Sequence, residues 1–143
     1  MAGIEFIARA VFRKDGEILL AHKIGESNTF LPGGHIELEE YAKEALSREL
    51  AEELGLGSEI GDFVGVLEHK FTDRPGTAYE EVNLIFEASI EADNVTSVEG
   101  HMEFIWSSPG EMTSRNLLPS SLPCLLMEWW EKRTPFHHAQ RDD

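Results

Sequence analysis

The chain has 143 residues, 41% hydrophobic and 27% charged, which suits one domain around one core and excludes disordered, collagen-like and fibrous classes. Its 12 Lys and Arg against 27 Asp and Glu give a formal charge of −15, which repels nucleic-acid backbones and anionic membrane surfaces, so no nucleic acid polymer and no membrane is expected as a partner. Cys124 is the only cysteine, which excludes an intrachain disulfide and fits a reducing, cytoplasmic setting.

Ile4 to Phe12 breaks its apolar character at Glu5 and Arg9, so it reads as a strand rather than a signal peptide. Glu17 to Ile24 is similar, and Lys14-Asp15-Gly16 between the two predicts a hairpin. Thr29-Phe30-Leu31 ends at Pro32-Gly33-Gly34, a bend where another group can approach the backbone closely. No Gly-Lys-Ser/Thr follows, which sets this loop apart from a P-loop.

The composition predicts a helix from Glu39 to Leu54, with acids at its start and Gly55 as its stop. Strands are predicted over Phe63 to Phe71 and Val82 to Ile90, parted by a turn at Thr72-Asp73-Arg74-Pro75-Gly76. A shorter strand follows at Glu103 to Trp106. Ser120 or Ser121 is placed to cap a last helix from Pro123 to about Lys132, with Leu122, Leu125, Leu126, Trp129 and Trp130 as its core side and Cys124 packed as a small hydrophobe. Residues 134–143 are polar and read as a flexible tail in which His137 and His138 are solvated. This order predicts an α/β fold, a mixed β-sheet flanked by helices, in a single domain over 1–143.

On a helical wheel with Leu46 at zero, Leu50 and Leu54 fall at about +40° and +80° and Ala42 at about −40°, marking the packed face. Glu49, Glu53 and Glu52 fall at roughly −60°, −20° and −120°, a carboxylate stripe beside the apolar one. Two carboxylates ~5 Å apart at an effective dielectric of ~20 repel by about 3 kcal/mol, so a cation between them is a reasonable expectation. Oxygen ligands of this kind select hard ions, Mg²⁺ first and Mn²⁺ next. Taken alone, such a triplet is commonly a solvated face.

The surroundings of the triplet are specific: Gly34, five residues, Glu40, seven residues, then Arg48-Glu49-Leu50-Ala51-Glu52-Glu53-Leu54-Gly55-Leu56. This resembles the box of the Nudix hydrolases at every defined position, and a chance match has a probability on the order of 10⁻¹⁰ from average residue usage. The resemblance implies an α/β/α sandwich and a metal-dependent pyrophosphohydrolase. Its substrate would be a nucleoside diphosphate linked to another moiety. Glu49, Glu52, Glu53 and the carbonyl of Gly33 would hold the metal. Arg48 would fix the carboxylates, with Glu40 as its partner, against the plainer reading of a surface ion pair with Glu44 or Glu52.

A further acid outside the box would serve as ligand or general base: Glu99, with Glu103, Glu80 and Glu81 as rivals. Gly33, Gly34 and His35, with His101, would lie beside the substrate phosphates. Phe30, Phe71, Tyr79 and Trp106 are candidate stacking surfaces for a base.

Two other functions fit the same family, an oxidised-nucleotide triphosphate sanitising hydrolase and a non-catalytic nucleotide-binding sensor. Asn116 to Ser121, where a base reader would sit, does not identify one. Pro75, nineteen residues after Leu56, is a weak sign of ADP-ribose. The family's isoprenoid diphosphate isomerase needs a catalytic cysteine, and Cys124 lies far along the chain from the box. A monomer and a homodimer look alike in this sequence.

Overall fold

A computed structural model of the chain describes residues 3–91 and 95–142, so Asp143 of the tail lies outside the described residues. The elements run β1 Ile4–Lys14, β2 Glu17–Lys23, β3 Gly33–His35, α1 Ala42–Leu54, β4 Glu59–Thr72, β5 Ala78–Ser89, β6 Met102–Ser107, α2 Leu122–Lys132 and β7 Phe136–Asp142, with a 3₁₀ turn at Pro109–Glu111. The strands form a mixed sheet in the order β6-β2-β1-β5-β4-β7, and β3 pairs with β1.

β1 and β5 run parallel, from Ile4 opposite Glu80 to Phe12 opposite Ala88, while β4 and β5 are antiparallel. The predicted hairpin closes with Lys14 opposite Glu17, its turn residues Asp15 and Gly16 both at positive φ.

Alternation along β1 and β2 divides the core in two. Ala8, Ala10, Phe12 and Leu19 point to one face, where Leu46, Leu50 and Leu54 of α1 cover them. Val11, Ile18 and Leu20 point to the other, under Leu122, Leu126 and Trp129 of α2. The result is the α/β/α sandwich the sequence implies, and among the described residues no helix is long and apolar enough to cross a membrane. Each fully buried Leu contributes about 1.5–3 kcal/mol, so both helices are held chiefly by these stripes.

The structure corrects four expectations. α1 begins at Ala42 rather than Glu39, because Glu39 takes a left-handed φ of 69° and the Glu40 N–H closes a turn on the Glu37 carbonyl. The tail is a strand: β7 lies parallel to β4 from Gly65–Phe136 to Phe71–Asp142, its backbone satisfied by the sheet edge. Phe136 packs over Gly65, where a Cβ would come within 2.7 Å of the ring. Cys124 is exposed, since Leu122, Leu126 and Trp129 turn the opposite side of α2 inward. Ser121 occupies the cap position of α2 without a side-chain cap bond, and its N–H donates to Gln140 Oε1 at 3.1 Å.

Candidate active site

Two glycines seat the acidic helix. At Gly34 a Cβ would lie 2.4 Å from Glu49 Cδ, so only glycine lets the Glu49 carboxyl rest against β3. Gly55 ends α1 at a left-handed φ of 66° and donates its N–H to the Ala51 carbonyl, and a Cβ there would lie 2.8 Å from Val98 Cγ1. The Val98 N–H in turn donates to the Glu53 carbonyl at 3.0 Å. That docking brings the loop carrying Glu99 to the end of the acidic helix.

Arg48 is the hub of the exposed side. Its Nε and Nη2 donate to the Glu40 carboxyl at 2.8 and 2.9 Å, Nη1 donates to Glu49 at 2.9 Å, and Nη2 also reaches the His35 carbonyl at 3.1 Å. Glu52 Oε1 lies 3.5 Å from Nη1. A planar five-donor fork is what permits so many partners at once. Its hydrogen bonds, with one from the Glu37 backbone, hold the Glu40 carboxyl down at about 2, and Glu40 in turn raises the guanidinium pKa so that it stays charged. The surface pair with Glu52 is present, but the shorter bonds form a clamp on Glu40 and Glu49, and the alternative partner Glu44 is spent on the Tyr41 N–H at 2.9 Å.

Glu53 sits differently. It is only 8% exposed, and its Oε2 is buried with no hydrogen-bond partner. Burial first, then the neighbouring charges of Glu49 and Glu99, push its pKa up to about 7, against the opposing pull of Arg9 and the Gly33 N–H. A buried, orphaned carboxylate oxygen beside a second carboxylate is a costly arrangement that a divalent cation would relieve. The donor set is all oxygen, which suits a hard cation. Among the described residues, no three His, Cys, Asp or Glu side chains are gathered into a metal-holding group as they stand, and Glu49 leans on Arg48 instead.

The rival acids separate. Glu103 is 2.6 Å from His22 Nδ1, and Glu80 is 3.4 Å from Lys70, both committed elsewhere. Glu99 stays within the field of Glu53, with His101 Nε2 at 3.3 Å. Alternation along β3 sends the His35 side chain away from the Glu49 side, where its Nε2 lies 3.2 Å from Glu5.

On that same sheet face a cavity of about 460 Å³ opens between β1, β4, β5, β7 and the start of α2. Leu31, Leu67, Ile85, Leu118 and Leu122 give it apolar walls. Phe30 and Phe71 also line it, with Tyr79 stacked on Phe71 at 5.0 Å, whereas Trp106 packs with the α1 core on the other face.

Arg9 lines the cavity too, donating to the Leu31 carbonyl at 3.1 Å. Burial lowers its pKa, while Glu81, Glu53 and Glu49 raise it, so this guanidinium links the cavity to the acidic helix. Sequence reasoning missed Arg9, His69, Asn83 and Asp142 as lining residues. The one available signal was an arginine inside an apolar strand, a placement that calls for buried partners.

A sheet between two helices, with Glu40, Arg48, Glu49 and Glu53 drawn together beside an apolar cavity, defines a class. The chain belongs to the NUDIX family, whose domain model matches residues 3–126, and it is a Nudix hydrolase. It is 30% identical over 129 residues to the CTP pyrophosphohydrolase of Escherichia coli K12, an alignment covering 87% of this chain and 90% of that protein. A NUDIX hydrolase from Nitrosomonas europaea superposes with a TM-score of 0.74 at 16% identity, covering 96% of this chain and 79% of that one. A MutT protein from Methanosarcina mazei Go1 gives 0.73 at 22% identity, covering 92% and 96%.

Proposed function

We propose that this enzyme hydrolyses the phosphoanhydride bond of a nucleoside diphosphate derivative with Mg²⁺ or Mn²⁺ held by Glu49, Glu52, Glu53 and the Gly33 carbonyl. The observation that carries the reading is the orphaned Glu53 Oε2, buried beside Glu49 and within the field of Arg9, which lines the cavity. When bound, the ions supply charge neutralisation for the diphosphate oxygens and acidify a water for attack at phosphorus.

The chain's own residues do the rest. Arg48 and Glu40 hold the Glu49 carboxyl in place, so the site is organised before substrate arrives. Arg9, close enough to feel the charge of Glu53 and Glu49, gives a strongly acidic protein a fixed cation for the phosphate end of the substrate. Glu99 would take a proton from the attacking water, a role supported by the docking of its loop through Val98 onto the end of the acidic helix. The likeness to a CTP pyrophosphohydrolase favours a nucleoside triphosphate over the other diphosphate derivatives. Retention of all three box glutamates favours turnover over a non-catalytic sensor.

The test is a panel of nucleoside triphosphates, ADP-ribose, dinucleotides and nucleotide sugars assayed with Mg²⁺, Mn²⁺ and EDTA. Metal-dependent release of a nucleoside monophosphate is expected. Absence of such cleavage across the panel would refute the proposal.

A further inference from the structure

We infer that Asp142, carried to the cavity rim by β7 and held there by His69, selects nucleobases that bear an exocyclic amino group. The inference rests on the nucleotide reading above. β7 lies beyond the residues matched by the family model, so this wall of the cavity stands outside the box.

Register and alternation put Phe136, Gln140 and Asp142 on the face of β7 that looks across to α2. Gln140 fixes the strand there: its Oε1 accepts the Ser121 N–H at 3.1 Å, and its Nε2 donates to Ser120 Oγ at 2.9 Å and to Asp142 Oδ1 at 2.8 Å. The other carboxylate oxygen, Oδ2, accepts from His69 Nε2 at 2.8 Å. His69 is buried, stacked on Phe71 at 4.7 Å, with Glu81 3.9 Å from its Nδ1. It positions the acid and offers little to a ligand itself.

The unspent hydrogen-bonding capacity that Asp142 brings to this end of the cavity is acceptor in character. Each Asp142 oxygen keeps a second lone pair, and the side chain is 49% exposed where it lines the cavity. The bonds from Gln140 and His69 hold its carboxyl below the ordinary range, so it accepts and does not donate. Asn83 donates one Nδ2–H to the Leu67 carbonyl at 3.3 Å, which leaves Oδ1 as a further acceptor and one N–H as a donor on the same lining.

The guanidinium of Arg9 lies toward the acidic helix, so a nucleotide with its phosphates there presents its base to the acceptor wall. An amino group meets that wall as a donor; a keto oxygen in the same place would face a carboxylate.

The experiment compares kcat/KM for CTP, UTP and the triphosphate of 2-pyrimidinone riboside in the full chain with Mg²⁺. The wild type should favour CTP over both by about tenfold or more, since a site built to hydrogen-bond a group rejects analogues without it. Asp142→Asn, whose amide can turn a donor toward a keto oxygen, should lower the CTP/UTP ratio about tenfold, chiefly through KM. His69→Leu should lower it as well, and His69→Gln, which keeps an N–H donor, should restore part of it.

A wild-type ratio near one overturns the inference, as does a ratio that survives Asp142→Asn in a protein melting at the wild-type temperature. Should Asp142→Asn not fold, the three-substrate comparison on the wild type still decides. If no nucleotide is cleaved, the hydrolytic reading fails separately, and equal affinity for CMP and UMP by calorimetry would then overturn the base preference too.

Discussion

Replacing Glu53 by Gln keeps the shape of a side chain that is 8% exposed and removes the charge whose Oε2 has no partner. In the metal-free protein Glu53 titrates at about 7 rather than its ordinary 4.5, because burial and the charges of Glu49 and Glu99 disfavour ionisation. Between those two values the folded chain holds a proton that the unfolded chain has lost, so wild-type stability declines as pH rises from about 4.5 to about 7 and levels off above it.

A shift of that size corresponds to at most ~3 kcal/mol, and partial water access near the helix end reduces it to on the order of 1–3 kcal/mol. In EDTA at pH 8, Glu53→Gln should therefore melt several degrees above wild type, at roughly 3–5 °C per kcal/mol for a chain of this length. At pH 5 the gap should nearly vanish. With millimolar Mg²⁺ the order should reverse, because the wild type gains more from the ion than the variant does. Activity with metal should fall at least about a hundredfold. Thermal melts by circular dichroism at the two pH values, with and without metal, measure all of this. A variant that melts below wild type by the same amount at pH 5 and pH 8 in EDTA would refute the reasoning.

Three more expectations follow from the same geometry. Arg48→Gln frees Glu40 and Glu49 from their clamp, so apparent Mg²⁺ affinity or kcat should drop roughly 10–100-fold, read from metal titrations of activity, with little loss of fold. Gly55→Ala forces a Cβ into a left-handed position and to within 2.8 Å of Val98 Cγ1; it should cost about 1–3 kcal/mol in denaturant unfolding and displace the Glu99 loop. His22 donates from Nε2 to the Glu26 carbonyl at 2.7 Å and from Nδ1 to Glu103 at 2.6 Å, contacts that raise its pKa above 6.5. The stabilisation from this pair should be fully present below the unfolded pKa and lost as pH rises through the folded one, and an NMR titration of the His22 ring should show a midpoint that falls in Glu103→Gln.

The box was legible because its chemistry is local: one helix, one glycine turn and one spacing place Arg48, Glu49 and Glu53 together, while the burial of Glu53, drawn as part of a stripe beside the apolar face, shows only in the fold. The longer strands were legible for the same reason, as runs of apolar and β-branched residues closed by turns, whereas Gly33–His35, read as a bend, is a strand through its pairing with β1. Other features depend on partners distant in the chain. Glu39 and Glu40 look like a helix start by composition, yet Glu40 is recruited by Arg48 eight residues on. β7 has one large apolar residue, Phe136, and adheres through backbone pairing and the bonds of Gln140, none of which leaves a hydrophobic period. Arg9 showed only as an interruption in a strand, since its charged neighbours Glu81, Glu53 and Glu49 come from two later elements.

The parallel pairing at the middle of the sheet sets an order of assembly. β1 must find β5, with Ile4 opposite Glu80, before either core layer has its central ridge. During synthesis from the N-terminus, the hairpin and the acidic helix emerge long before that partner exists. Such a topology folds slowly because the intervening loop must close first, so a nascent chain would form its helical carboxylate stripe well before the cavity walls that β5 and β7 supply.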